Sequence, residues 1–259
     1  MSVAGPEPHH WFEELADHMG SAYLRYSFTK GTDNEVAFLT DSLGLEPGMR
    51  MLDVGCGPGR HALAFARQGI EVLGVDISRR FVDLANDQAT TEALPATFVR
   101  ADATDLDAVT AQLPPFDAAI SLCQGAIGLA GPGPFEADQS NTHHDGAVLG
   151  GMARAVRTGG RVAVSAFSAY FQIRHLSEAN HFDAATAVHH ETTQVRDPEG
   201  RPKDVDLWTT CTTPRELSLL SERAGLTVED IWSVTPGNYE RRPPTIETEE
   251  FLLLATRRS

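Results

Sequence analysis

"MLDVGCGPGRHALAFA", residues 51–66, holds three glycines in five positions, Gly55, Gly57 and Gly59, behind an apolar run containing Asp53. An apolar run that stops at a glycine cluster reads as a buried strand. The 3.6-residue spacing of "RHALAFARQG" after it reads as a helix that ends at Gly69. A glycine turn between strand and helix lets a ligand reach the backbone at the carboxyl end of the first strand of a parallel sheet. The surrounding chain agrees with such a sheet: strand-like runs fall at 71–75, 96–100, 117–122 and 161–167, with helical segments between them, as in βαβ units. Ser78 is placed to cap "SRRFVDLANDQAT". Thr213, Pro214 and Gly225 punctuate "TPRELSLLSERAG" as a helix. Two last strands near "LTVEDIWSV" and "TEEFLLLATR" close the chain, and "HWFEELADHMGSAYLRY" and "TDNEVAFLTDSLGL" give two helices ahead of the sheet.

The 259 residues suffice for one large α/β domain with insertions. Lys and Arg number 21 against 36 Asp and Glu, a formal charge of −15. That field repels a phosphate backbone, which argues against nucleic acid and for a small molecule or polypeptide partner. The amino terminus has neither a cationic start nor a signal-length apolar stretch, and no run of about 18 apolar residues occurs, so a cytoplasmic chain without membrane contact is expected. Cys56, Cys123 and Cys211 are too scattered for a disulfide framework or a thiolate metal site, and no metal is expected. The "GLAGPGPFEADQ" stretch, 128–139, reads as a loop, and "HHD" at 143–145 as the start of a surface helix.

The ligand of the glycine loop is constrained by its neighbours. A nicotinamide fingerprint, G-x-G-x-x-G, would need a third glycine where Arg60 stands. An acid such as Asp53 at the rim of a pyrophosphate site would cost roughly 1–4 kcal/mol at about 4 Å. A ligand with a cationic end fits better.

"LDVGCGPGRH" resembles the first motif of the class I S-adenosylmethionine-dependent methyltransferases, and the landmarks after it resemble that family in order over about residues 32–167 and in outline over the last 45. The resemblance implies a Rossmann-like, seven-stranded, mostly parallel sheet with helices on both faces, a final antiparallel strand, and a lid insertion after strand five. It implies S-adenosylmethionine as cofactor, S-adenosylhomocysteine as product, and cofactor contacts from Asp53, Gly55, Cys56, Gly57 and Gly59. Asp76 would take both ribose hydroxyls, Ile77 would pack on adenine, and Asp102 with Ala103 would meet the adenine amino group. Leu122 and Cys123, in "FDAAISLCQGAIG", would lie near the methionine and methyl end. "SLCQGA" replaces the proline-containing signature of amide and DNA amino-group methylation, which favours a small-molecule acceptor.

Acceptor residues are expected outside that core. Residues 1–48 form helices over the site, contributing Tyr23 and Tyr26; 49–259 form the core, with a substrate-side hairpin at 168–212. Gln124 joins them from the fourth motif. Within the hairpin, "TAVHHETTQV" and "DVDLWTTCT" flank a turn at Asp197, Pro198 and Gly200, and alternation places His189 with Glu191 and His190 on the other face. His190, flanked by Val188 and Thr192, is the expected base and, with His189, an acceptor contact. Three readings remain open: a methyltransferase acting on an N, O or C nucleophile, possibly in secondary metabolism; a nicotinamide-dependent oxidoreductase; and a non-catalytic S-adenosylmethionine binder. Monomer and homodimer are both compatible with the sequence.

Overall fold

The computed structural model describes residues 10–131 and 141–258. The chain runs α1 (Trp11–Met19), two 3-10 turns (Gly20–Arg25 and Ser27–Thr29), α2 (Thr32–Leu43), β1 (Arg50–Val54), α3 (Arg60–Arg67), β2 (Glu71–Asp76), α4 (Arg79–Thr91) and β3 (Ala96–Arg100). A 3-10 turn (Ala103–Asp105), α5 (Asp107–Thr110), β4 (Phe116–Ser121), α6 (Asn141–Ala155) and β5 (Val156–Phe167) complete the first half of the sheet. There follow α7 (Ala169–Arg174), β6 (His181–Asp183), β7 (Val188–Arg196), β8 (Pro202–Thr210), α8 (Pro214–Arg223), β9 (Leu226–Val234) and β10 (Glu250–Arg257).

The main sheet has seven strands in the order β3-β2-β1-β4-β5-β10-β9, parallel except for β10, which is antiparallel to both neighbours. Its two faces follow from strand alternation. Met51, Ile120, Ala163 and Leu252 turn to one face, where α2, α3 and α4 bury Leu39, Phe65 and Val82. Leu52, Val54, Val162 and Leu253 turn to the other, against Leu149, Met152 and Leu217 of α6 and α8. Burial on both faces explains the near-continuous apolar strands of the sequence. The order reverses at β1 and β4, so the crevice beyond their carboxyl ends is where a ligand is expected in such a sheet.

Local signals hold where they rest on caps. Ser78 accepts from Phe81 N at 3.2 Å, and Thr213 and Glu216 form a reciprocal capping box. The first helix is shorter than the run 10–26, because the chain tightens into a 3-10 turn from Gly20. The 168–212 excursion holds more than a hairpin: α7 and β6 precede it, and β6 pairs with β7 in a separate three-stranded sheet. Its ends meet where Thr212 N donates to Phe167 O and Ala169 N to Thr212 O, so it leaves and rejoins the core at one point. The "HHD" stretch lies in the first turns of α6, with His143 exposed and His144 half-buried, while Asp145 turns inward and accepts from Gly128 N at 2.9 Å. The loop read at 128–139 lies mostly outside the described residues. No described helix is long and apolar enough to cross a membrane.

Candidate active site

The glycine turn is held by pairing before any ligand is considered. Gly55 N and Cys56 N both donate to Val75 O, at 2.7 and 3.1 Å, bending the chain around the end of β2. Gly55 has φ +70, and a Cβ there would stand 1.9 Å from the carbonyl of Gly125, so the loops after β1 and β4 touch backbone to backbone. Asp76, at the end of β2, closes the turn: its Oδ2 accepts from Gly57 N at 2.7 Å and its Oδ1 from Ser78 N at 2.8 Å. Burial pushes the Asp76 carboxyl up to about 6, against the pull of those two donors.

Two cavities meet at this point, sharing Phe12, Gly55, Asp76, Gly125 and Leu129. The narrow one, about 40 Å³, is lined by Ile77, Asp102, Ala103, His10 and His144. Asp102 also caps the turn after β3, accepting from Thr104 N at 2.8 Å; burial opposes its ionisation, but the Thr104 donors hold the carboxyl below its ordinary value. The larger cavity, about 350 Å³, runs from Gly57 and Cys123 to the 168–212 excursion, walled by Tyr23, Tyr26 and Gln124 and by the aromatic rings of Phe12, Phe28 and Phe81. Tyr26 Oη accepts from Arg196 N at 2.9 Å, and Trp11 packs edge-on against Trp208, so the amino-terminal helices and the hairpin hold each other over the opening.

Not every residue singled out in the sequence reaches the cavities. Asp53 is buried, lines neither cavity and faces the first turn of α3, near Ala62 N and Arg60; desolvation pushes its carboxyl up to about 7. The contact expected between Asp53 and a cationic ligand end is therefore not made by a wall residue. Cys56 and Leu122 are packed in the core behind the loops. His190 stands on the wrong side of the hairpin. Alternation along β7 turns Glu191, Thr193 and Val195 to the cavity, while the His190 side chain is 36% exposed, stacks on Trp208 at 5.1 Å and sits 3.1 Å from Asp206 Oδ1. The phase is set by Val195, which seats against Leu15, Met19 and Phe81. His189 is buried, between Phe182 and Thr209 in the register, and is not a wall residue.

Sequence reading also missed two buried acids. Glu35, on α2, accepts from Arg60 Nη1 at 2.5 Å, His61 Nε2 at 2.7 Å and Gly237 N at 2.8 Å. Burial works against this carboxylate, yet the His61 hydrogen bond and the Arg60 charge hold it down at about 2. The arginine that spoils the nicotinamide fingerprint thus ties the glycine loop to α2, and it also donates to Cys123 Sγ. Glu250, the first residue of β10, is 1% exposed and lines the larger cavity. Its signal was available: it shares strand phase with Leu252 and Leu254, where an acid is out of place.

The donor set fits S-adenosylmethionine. The buried Asp76 carboxylate spends one lone pair per oxygen on backbone donors and keeps capacity for a ribose diol. Ile77 and Ala103 are apolar walls that would suit a flat base, and the larger cavity has the volume for a methionine end with space beyond it. Among the described residues no group of three or more His, Cys, Asp or Glu is arranged to hold a metal ion.

Residues 51–129 match the model of a methyltransferase domain. The cyclopropane-fatty-acyl-phospholipid synthase of Escherichia coli (strain K12) is 30% identical over 116 residues, 40% of this chain and 30% of the synthase. The geranyl diphosphate 2-C-methyltransferase of Saccharopolyspora erythraea is 47% identical over 57 residues, 21% of this chain and 20% of that enzyme. The chain thus spans less than a third of each of these relatives. The CcbJ methyltransferase of Streptomyces caelestis shares the fold over 96% of both chains, with a TM-score of 0.72 at 16% identity. With the glycine turn, the acid that ends β2 and the strand order all in place, residues 51–129 are similar to a methyltransferase domain, set in a chain with the Rossmann-like fold of the solved S-adenosylmethionine-dependent methyltransferases.

Proposed function

We propose that this protein transfers a methyl group from S-adenosylmethionine to an apolar small molecule through an N, O or C nucleophile. The observation that carries the reading is the meeting of a narrow cavity and a larger one at Gly55, Asp76 and Gly125. One holds the adenosine and the other the methionine end together with an acceptor. The bound cofactor supplies a methyl group already activated by its sulfonium. The chain's own task is then to align a nucleophile and exclude water. Gly55, Gly57, Asp76, Ile77, Asp102, Ala103 and Cys123 hold the cofactor, while Asp53, Cys56, Gly59 and Leu122 shape the loops behind it. Tyr23, Tyr26 and Gln124 bound the acceptor.

The helices of residues 1–48 and the 168–212 excursion act as the acceptor cover on the 49–259 core. The larger cavity lies in the range typical of small-molecule sites, and its aromatic walls suit the apolar compounds of secondary metabolism. The acidic chain operates in the cytoplasm, without nucleic acid. Calorimetric titration with S-adenosylhomocysteine and NAD tests the cofactor: the former should bind and the latter should not, and the opposite result overturns the reading. Transfer of labelled methyl to members of a small-molecule library separates an enzyme from a binder.

A further inference from the structure

The larger cavity has acid groups in its wall and no lysine or arginine among the described lining residues. Asp76, Glu191 and Glu250 are the three carboxylates, and Asp76 lies at the cofactor end. Glu250 differs from Glu191 in burial. It enters where β10 starts opposite Phe167, at the same edge of the sheet as the glycine loop, and is wholly covered. Among the described residues its Oε2 has no hydrogen-bond partner, nor has the buried Nε2 of Gln124 in the same wall. An orphan carboxylate oxygen on a cavity wall is costly unless a ligand completes it. The guanidinium of Arg60 is committed to Glu35, Thr32 and Cys123.

We infer that Glu250 binds the acceptor, and that the acceptor is an apolar amine held there as its ammonium ion. This rests on the methyl-transfer reading above. Aromatic walls favour an organic cation and its apolar body together, whereas a carboxylate or phosphate acceptor would face two acids. In the step, an N–H proton of the ammonium passes to Glu250 Oε2. The freed nitrogen pair forms the N–CH3 bond as the S–CH3 bond breaks, and its electron pair stays on sulfur, leaving a neutral thioether. Burial pushes the Glu250 carboxyl up to about 7; the Gln124 and Ser165 side chains stand near enough to oppose that rise without closing a hydrogen bond to Oε2, so the carboxyl both accepts and returns a proton near neutral pH.

The test is titration of the protein saturated with S-adenosylhomocysteine with phenethylamine, phenethyl alcohol and phenylacetate at about pH 8. The amine should bind at least about tenfold more tightly than the other two, and Glu250→Gln should erase that preference while leaving S-adenosylhomocysteine affinity unchanged. Glu191→Gln should leave the preference intact. Absence of any preference in the wild type, or its survival in Glu250→Gln, overturns the inference. So does a variant that weakens only S-adenosylmethionine against S-adenosylhomocysteine, which assigns the carboxylate to the sulfonium. Failure of S-adenosylhomocysteine to bind the wild type would instead remove the methyl-transfer reading. If Glu250→Gln melts early, Glu250→Asp, which keeps the charge, must retain the amine preference.

Discussion

Asp76 and Asp53 are both buried acids at the ends of neighbouring strands, and their surroundings set them apart. Asp76 has two backbone donors and a cavity in front of it; Asp53 has core around it and no wall position. A ribose diol bound to Asp76 would make charge-assisted hydrogen bonds of about 1.5–3 kcal/mol each. Asp76→Ala should therefore lower S-adenosylhomocysteine affinity at least about tenfold in a calorimetric titration. His190 shows the limit of reading single residues. Its alternation partner set was right, but only the packing of Val195 on α1 reveals which face is covered.

At the scale of elements, the two loops that end β1 and β4 act as one unit. Gly125 N donates to Leu122 O at 2.9 Å, while Cys123 N donates to Ser165 Oγ at 2.8 Å, which fixes the second loop against β5 and presses Gly125 onto Gly55. A methyl group at residue 55 has no room and meets backbone rather than a side chain that can swing away. Gly55→Ala should push the loops apart, lower the melting temperature by several degrees and abolish S-adenosylhomocysteine binding. The amino-terminal helices and the hairpin form a second unit, through Tyr26 with Arg196 N, Trp11 with Trp208, and Arg25 Nη1 donating to Pro198 O at 2.9 Å. None of these pairings has a local sequence signal, because their members lie more than a hundred residues apart.

For the whole molecule, the buried titratable groups set a pH dependence. Burial raises Asp53 and Glu250 to about 7 and Asp76 to about 6, so the folded chain keeps protons that the unfolded chain has released. Their stabilisation is full below the ordinary carboxylate range and is lost as the pH rises through 6–7. His61, which burial lowers to about 4, runs the other way: its contribution is complete above 6.5 and fades as the pH falls toward 4. Between pH 6.5 and 8 the loss from the carboxyls outweighs the last part of the histidine gain, and each carboxyl costs up to about 1.4 kcal/mol per pH unit while it titrates. The cofactor-free protein should melt at lower temperature at pH 8 than at pH 6.5. Asp53→Asn should flatten that fall and be without effect at pH 4, as scanning calorimetry can show.

The sequence by itself determined the sheet, the glycine turn and the acid that ends β2, because strand period, caps and turn glycines are written within a few residues of one another. It also carried the family resemblance. The tertiary structure decided which side of the hairpin faces the cavity, that Asp53 stands behind the loop, and that Arg60 answers Glu35. It also brought Glu250, 126 positions beyond Gln124, to the same wall. Such pairings depend on how separate elements pack, and a one-dimensional pattern holds only the propensity of each element, not the partner it will bury against.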